Sequence, residues 1–282
     1  MPGTVLLRVL LVATTLLTGC SAIDFAYNNA PSFVASEFDD ALDLTDAQSK
    51  ELDTRLQDFF AWHRQQELGH YRQFLETSAA TIADGIEADE VLRIGEELRQ
   101  TWRRTLARAI DDLGDLALTL TPQQIDRYEE YFRDKSSEYD DYLQMSAQQR
   151  EIYQAERQLD RLERWFGDFA DLQREQISRR LQSLPDIYPA WIRYREARHR
   201  ALVAALREAS TSGLTRQQLK FILLDESTEY ARAFEPERRA YWRAYAEMLE
   251  EISARFSSSQ LQYAAGRLRN YADIADGLAR QD

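Results

Sequence analysis

The sequence has few cysteines, glycines and prolines. It contains one cysteine, 10 glycines and 6 prolines among 282 residues. A single cysteine can form neither an internal disulfide nor a thiolate zinc site. Few glycines and prolines leave few tight turns, which argues against an all-β fold. The role of the lone cysteine therefore depends on the residues around it.

Positive charge is also scarce relative to negative charge. The chain has 35 basic and 48 acidic residues, a formal net charge of −13. Such a chain repels phosphate backbones, so we expect no nucleic-acid partner. Hydrophobic residues make up 44% and charged residues 29% of the chain, which is the composition of a folded protein.

Common catalytic motifs are missing as well. The sequence has no glycine-rich phosphate loop, no G-x-S-x-G elbow and no H-E-x-x-H pair. Its paired acidic residues fall on amphipathic stretches, where they are typical of a solvated helix face. We therefore expect neither an enzyme nor a bound cofactor.

The only long apolar run precedes the cysteine. Val9–Leu17 is apolar but too short to span a bilayer, and it ends in Leu17-Thr18-Gly19-Cys20. These four residues resemble the lipobox of bacterial lipoprotein signal peptides. The resemblance implies removal of residues 1–19 and acylation of Cys20, including a palmitate-type chain. Ser21, where retained lipoproteins have aspartate, then implies an outer-membrane anchor with the protein on the periplasmic face.

The rest of the chain is predicted to be all-α. Apolar residues recur every three or four positions, and period-2 alternation is almost absent. We predict an elongated bundle of about nine helices in a single domain over 41–282, after a lipidated segment over 20–40 that packs onto it. Glycines and prolines predict breaks at Gly167, Pro185, Gly213 and Pro236. The predicted helices span 46–82, 87–118, 122–144, 147–166, 171–184, 187–210, 215–234, 236–255 and 258–279.

A five-residue motif precedes many of these helices. Clear copies are Leu44–Gln48, Leu120–Gln124 and Leu214–Gln218; looser copies are Met145–Gln149, Phe256–Gln260 and, weakest, Phe169–Gln173. In all but the last, a Ser or Thr can accept from the backbone N–H of the Gln three residues later. The Gln side chain can return to the N–H of the Ser or Thr, which completes a capping box. Local chemistry therefore explains the motif as a helix start.

The spelling Leu-Thr-x-x-Gln resembles the repeated LTxxQ motif of the Spy/CpxP periplasmic chaperones. That resemblance implies a curved all-α protein that holds unfolded clients. A longer resemblance rests on the lipobox, Tyr27–Pro31, Leu44–Gln48, Trp62-His63-Arg64 with Glu67-Leu68, and Leu162–Gly167. These stretches are similar to an uncharacterised family of Gram-negative helical lipoproteins, which implies a location and a fold but no activity.

Three polar residues lie on one apolar stripe. On an α-helical wheel of about 100° per residue, His63, Glu67 and His70 fall on the side of Leu52 and Leu56. This placement predicts a structural polar cluster in the core. Glu67-x-x-His70 also has the spacing found in di-iron bundles, and Glu196-x-x-His199 repeats it.

Two functions follow from these patterns. The first is a lipid-anchored, periplasm-facing binding protein with a chaperone-like or scaffolding role, whose partners are envelope proteins or unfolded clients. The alternative is a metal-binding helical bundle that uses Glu67, His70, Glu196 and His199.

Overall fold

The computed structural model describes residues 19–212 and 215–281. Most of the predicted signal peptide, the Cys20 side chain and the predicted break at Gly213 lie outside what it describes. The structure is 87% helical, and no strand occurs among the described residues, which confirms the all-α prediction. When adjoining segments are joined, the described residues form 11 helices, close to the number predicted.

Eight of the nine predicted helix starts lie within one residue of an observed start. In chain order the helices are α1 (Gly19–Asn28), α2 (Ala30–Leu42), α3 (Asp46–Trp62), a π-helical turn (His63–Glu67), α4 (Leu68–Asp84), α5 (Ala88–Ala117), α6 (Pro122–Ser136), α7 (Glu138–Gln144), α8 (Ala147–Phe166), α9 (Asp171–Gln182), α10 (Tyr188–Ser212), α11 (Arg216–Leu224), α12 (Glu229–Ser253) and α13 (Ser258–Ala279).

Capping boxes begin five of these helices, as predicted. Both hydrogen bonds of the box are present where the cap residue is Thr45, Thr121, Ser146, Thr215 or Ser257. At Ala170 only the return bond exists, from the backbone N–H of Ala170 to the Gln173 side chain, because alanine has no side-chain acceptor. Local sequence therefore determines where these helices begin.

One predicted break was wrong. Pro236 lies inside α12 and does not end a helix. The break falls earlier, where the Asp225 side chain accepts from the N–H of Ser227 and the Asp225 carbonyl accepts from the Thr228 hydroxyl. Such Asx turns compete with the helical backbone and can end a helix without proline. Gly167, by contrast, ends α8 with a positive φ of 82°, as its position predicts.

The chain folds into two compact units. Unit 1 comprises Met1–Glu67, Trp102–Glu138 and Trp191–Ala233; unit 2 comprises Leu68–Thr101, Tyr139–Ala190 and Phe234–Asp282. The prediction of a single domain over 41–282 stays a prediction.

Unit 1 contains the N-terminal helices. Val34 of α2 is buried with Leu52 and Leu56 of α3 and Leu116 of α5. A second cluster in the same unit includes Ile110, Ile125, Val203, Leu206 and Leu219. The segment over 20–40 therefore packs onto the body, as its apolar residues predict.

Unit 2 has its own core. Helices α8 and α9 bury Leu162, Phe166 and Ile177 together with Ile252 of α12. Helix α13 lies along α4, where Ala79 and Ala265 are both 0% exposed. Small residues at this crossing allow the two helix backbones to approach closely. None of the described helices is both long and apolar enough to cross a membrane.

Candidate functional site

The π turn after α3 places two polar side chains inside unit 1. His63 is 9% exposed and Glu67 is 3% exposed. The Tyr27 hydroxyl of α1 lies 2.8 Å from Nδ1 of His63, and Arg104 of α5 donates to both carboxylate oxygens of Glu67 at 3.1 and 3.4 Å. Each buried polar group thus has a partner, which is the usual condition for burying one. π turns of this kind are frequent at functional sites.

Burial controls the charge of His63. It lowers the pKa of the imidazole from 6.5 to about 4, although the Glu67 carboxylate acts in the opposite direction. The imidazole is therefore neutral at pH 7, and its bond to Tyr27 ties α1 to the body. Arg64 strengthens this tie, because it donates to the Asn28 side chain at 2.8 Å and lies 5.2 Å from the centre of the Tyr27 ring.

The predicted position of His70 was wrong. His70 is exposed, whereas Leu68, which the α-helical wheel places toward solvent, is 3% exposed. The π turn supplies the reason, because one extra residue per turn rotates every later residue by about 100°. The polar cluster therefore contains His63 and Glu67 with Tyr27 and Arg104, without His70. Nothing in the local sequence of His63–Glu67 predicted the turn.

The second Glu-x-x-His pair does not form a ligand set with the first. The Glu196 side chain is 45% exposed and pairs with Arg200 at 3.8 Å. His199 is 8% exposed and stacks on Phe132, with ring centres 3.5 Å apart. Among the described residues, no three His, Cys, Asp or Glu side chains come together in a way that could hold a metal ion.

His199 is buried without a hydrogen-bond partner. Neither of its ring nitrogens has one in the structure. Burial is the main reason that its pKa falls from 6.5 to about 4, and the charges of Arg195 and Arg200 lower it further. His199 was a ligand in the alternative, metal-binding prediction, but the structure places it as a neutral ring in the core of unit 1.

A groove opens beside the π turn in unit 1. It has a volume of about 490 Å³ and is open to solvent. Its lining includes Arg55, Asp58, Trp62, Gln65, Gln66 and Arg108. The Arg108 guanidinium lies 5.4 Å from the centre of the Trp62 ring and pairs with Asp112 at 2.6 Å. The π turn thus buries His63 and Glu67 while Gln65 and Gln66 reach the groove.

Two of the helix-start motifs interlock in unit 1. The side-chain amide of Gln48 donates to the carbonyl of Thr119 at 3.3 Å, and that of Gln124 donates to the carbonyl of Asp43 at 3.1 Å. The two glutamines also bond each other, at 2.7 and 3.2 Å. Each glutamine therefore caps its own helix and binds the segment that precedes the other helix.

Two further motifs interlock in the same way in unit 2. Gln173 donates to the carbonyl of Arg255 at 3.1 Å, and Gln260 donates to the carbonyl of Asp168 at 3.0 Å. In both units the acceptor is the second residue before the partner's cap. The two remaining motif glutamines, Gln149 and Gln218, are exposed and bond within their own capping boxes. Four of the motif glutamines thus form tertiary contacts between helix starts. The motif sequence alone did not predict these contacts.

Together these features define an all-α protein with a buried polar cluster, an open groove and two pairs of interlocked helix starts. A sequence model for a family of unknown function (DUF6279) matches residues 40–234. Because this match covers more than half of the chain, the protein belongs to that family. Neither a curated protein nor a solved structure gives a significant match.

Proposed function

We propose that this chain is a lipid-anchored binding protein of the outer membrane that faces the periplasm. Its role is chaperone-like or scaffolding, and its groove in unit 1 receives segments of other polypeptides. The observation that carries the proposal is the open groove at Trp62, about 490 Å³ in volume.

The lining of the groove suits a polypeptide. Trp62 offers an apolar ring, and tryptophan and arginine are enriched where proteins bind each other. Arg55 and Asp58 present both signs of charge, while Gln65 and Gln66 can donate to and accept from a peptide backbone. Because the groove is open, an extended chain can enter and leave it without a closing motion.

The lipid anchor would hold the groove close to the membrane. The lipobox residues Leu17–Cys20 indicate acylation of Cys20, and several acyl chains give lasting attachment. Helix α1 begins at this point and is held on unit 1 by the bond between Tyr27 and His63. Gln65 and Gln66, which line the groove, come two and three residues after His63. The bond between α1 and His63 therefore couples the groove to the anchor.

An aggregation assay tests the binding role. We expect the chain from residue 21 onward, at several-fold excess, to suppress aggregation of an unfolded client. Ala61→Arg places a long side chain in the groove without removing a packed residue, because Ala61 is exposed. This variant should lose most of the suppression. The matched control is Ala240→Arg on an exposed helix surface of unit 2, which should keep it.

Two outcomes would overturn the proposal. If the unaltered chain leaves client aggregation unchanged, the chaperone-like role is wrong. If Ala61→Arg and Ala240→Arg suppress aggregation equally well, the groove is not where clients bind. The anchor is tested separately by mass spectrometry of the mature protein, which should find acyl chains on Cys20 and none after Cys20→Ala.

A further inference from the structure

The exposed positions of α1 and the first half of α2 carry no charge; charged exposed residues begin at Asp39. Between residues 22 and 36, the exposed positions are Ala22, Phe25, Asn28, Ser32, Phe33 and Ser36. The whole chain, by comparison, has 29% charged residues. Phe25 is 65% exposed and Phe33 is 45% exposed. Exposing two aromatic rings to water is unfavourable in free energy. An uncharged face that carries them is typical of a surface that contacts a partner protein or a membrane.

This face points away from the rest of unit 1. Tyr27 bonds His63, and Val34 is 3% exposed in the core, so one side of α1 and α2 is committed to the body. Phe25 precedes Tyr27 by two residues, which is about 200° around an α-helix. Its ring is therefore directed to the opposite side, away from the contacts that hold α1.

The sequence places this face close to the proposed anchor. Phe25 follows Cys20 by five residues within one helix, a rise of about 7.5 Å. Amphipathic helices insert their apolar side about 5–10 Å into the boundary between headgroups and acyl chains. Acyl chains on Cys20 would therefore hold Phe25 close enough to the bilayer for its ring to reach this boundary.

We infer that α1 and the start of α2 lie against the lipid surface, with Phe25 inserted among the headgroups. This inference rests on the proposed acylation of Cys20 and extends it. The anchor would then be a folded contact that fixes which side of unit 1 meets the membrane, and not a flexible tether.

A single-thiol label tests this contact in the full-length lipoprotein. The chain has one cysteine, whose thiol is blocked once acylated, so Phe25→Cys supplies the only free thiol. We would attach an NBD fluorophore and reconstitute the protein in vesicles of phosphatidylethanolamine and phosphatidylglycerol. The matched control is Leu172→Cys, because Leu172 is 64% exposed on unit 2.

We expect the label at residue 25 to be several-fold brighter and blue-shifted in vesicles, and to be quenched by nitroxide lipids. Circular dichroism should show unchanged helix content, because Phe25 is exposed. If, on protein whose Cys20 is acylated, the label at residue 25 has the same emission in vesicles as in detergent-free buffer, the inference is wrong and the anchor stands. Absence of acyl chains on Cys20 would overturn both.

Discussion

The two interlocked glutamine pairs differ in one instructive way. In unit 1 both caps are threonine, Gln124 is 6% exposed, and the glutamines exchange two hydrogen bonds. In unit 2 one cap is Ala170, and one glutamine–glutamine bond of 3.4 Å remains. The bonds to the partner's backbone carbonyls nevertheless persist in both units.

This difference shows which part of the motif carries the tertiary contact. The threonine hydroxyl satisfies only its own helix, so alanine can replace it. The glutamine amide reaches a segment distant in sequence and is present in both pairs. A motif that resembles a chaperone signature is therefore used here to lock helix starts together.

Acid should produce the largest contrast between the units. Unit 1 buries His63 and His199, each with a pKa lowered to about 4, while His70 of unit 2 is exposed. The unfolded histidines titrate near 6.5, so between about pH 6.5 and pH 4 the unfolded chain binds more protons and unit 1 loses stability as pH falls. The loss by pH 4 is about 3 kcal/mol per histidine.

Hydrogen exchange with mass spectrometry can measure this loss separately for peptides of each unit. Replacing His199 with phenylalanine, which keeps a ring against Phe132, should remove about half of the acid sensitivity of unit 1. If the two units lose protection in parallel, with or without His199→Phe, then the buried histidines do not control the acid response.

Removing one glutamine should have the next largest effect, and a larger one in unit 1. Gln124→Ala removes bonds to Gln48, to the Asp43 carbonyl and to the Thr121 N–H, at a site that is 6% exposed. We expect a loss of about 2 kcal/mol in the free energy of unfolding. Gln260→Ala, at a half-buried site, should cost about 1 kcal/mol. Urea denaturation followed by circular dichroism measures both.

Matched controls exist within the same chain. Gln218 in unit 1 and Gln149 in unit 2 complete capping boxes but are exposed and take no part in an interlock. Their replacement with alanine should therefore cost a few tenths of a kcal/mol. Equal losses for Gln124→Ala and Gln218→Ala would mean that the interlock adds nothing to the cap.

Exchanging the caps should have a smaller effect than removing Gln124. Ala170→Thr supplies the missing acceptor and should stabilise unit 2 by about 1 kcal/mol, while Thr45→Ala should destabilise unit 1 by a similar amount. Differential scanning calorimetry of the two variants tests this symmetry. If Thr45→Ala lowers the stability of unit 1 by more than Gln124→Ala does, the cap residue also contributes to the tertiary contact.

The sequence predicted much of the helix pattern and little of the candidate site. Helix starts at Asp46, Pro122, Ala147, Asp171 and Ser258 coincide with the predicted ones, because the hydrogen bonds between a cap residue and the Gln three positions later are local. The break assigned to Pro236 failed, because a side-chain turn at Asp225 ended the preceding helix first. The groove could not be predicted, since its walls come from α3, the π turn and the distant helix α5.

Local hydrogen bonds and local sequence patterns are enough to predict an all-α fold, its main helix starts and the family to which the chain belongs. Which motifs interlock depends on the folded chain, since the paired glutamines lie 76 and 87 residues apart. The folded chain also turns His70 outward and His63 and Glu67 inward. That outcome depends on a π turn held by Tyr27 and Arg104, whose side chains reach it only in the folded chain.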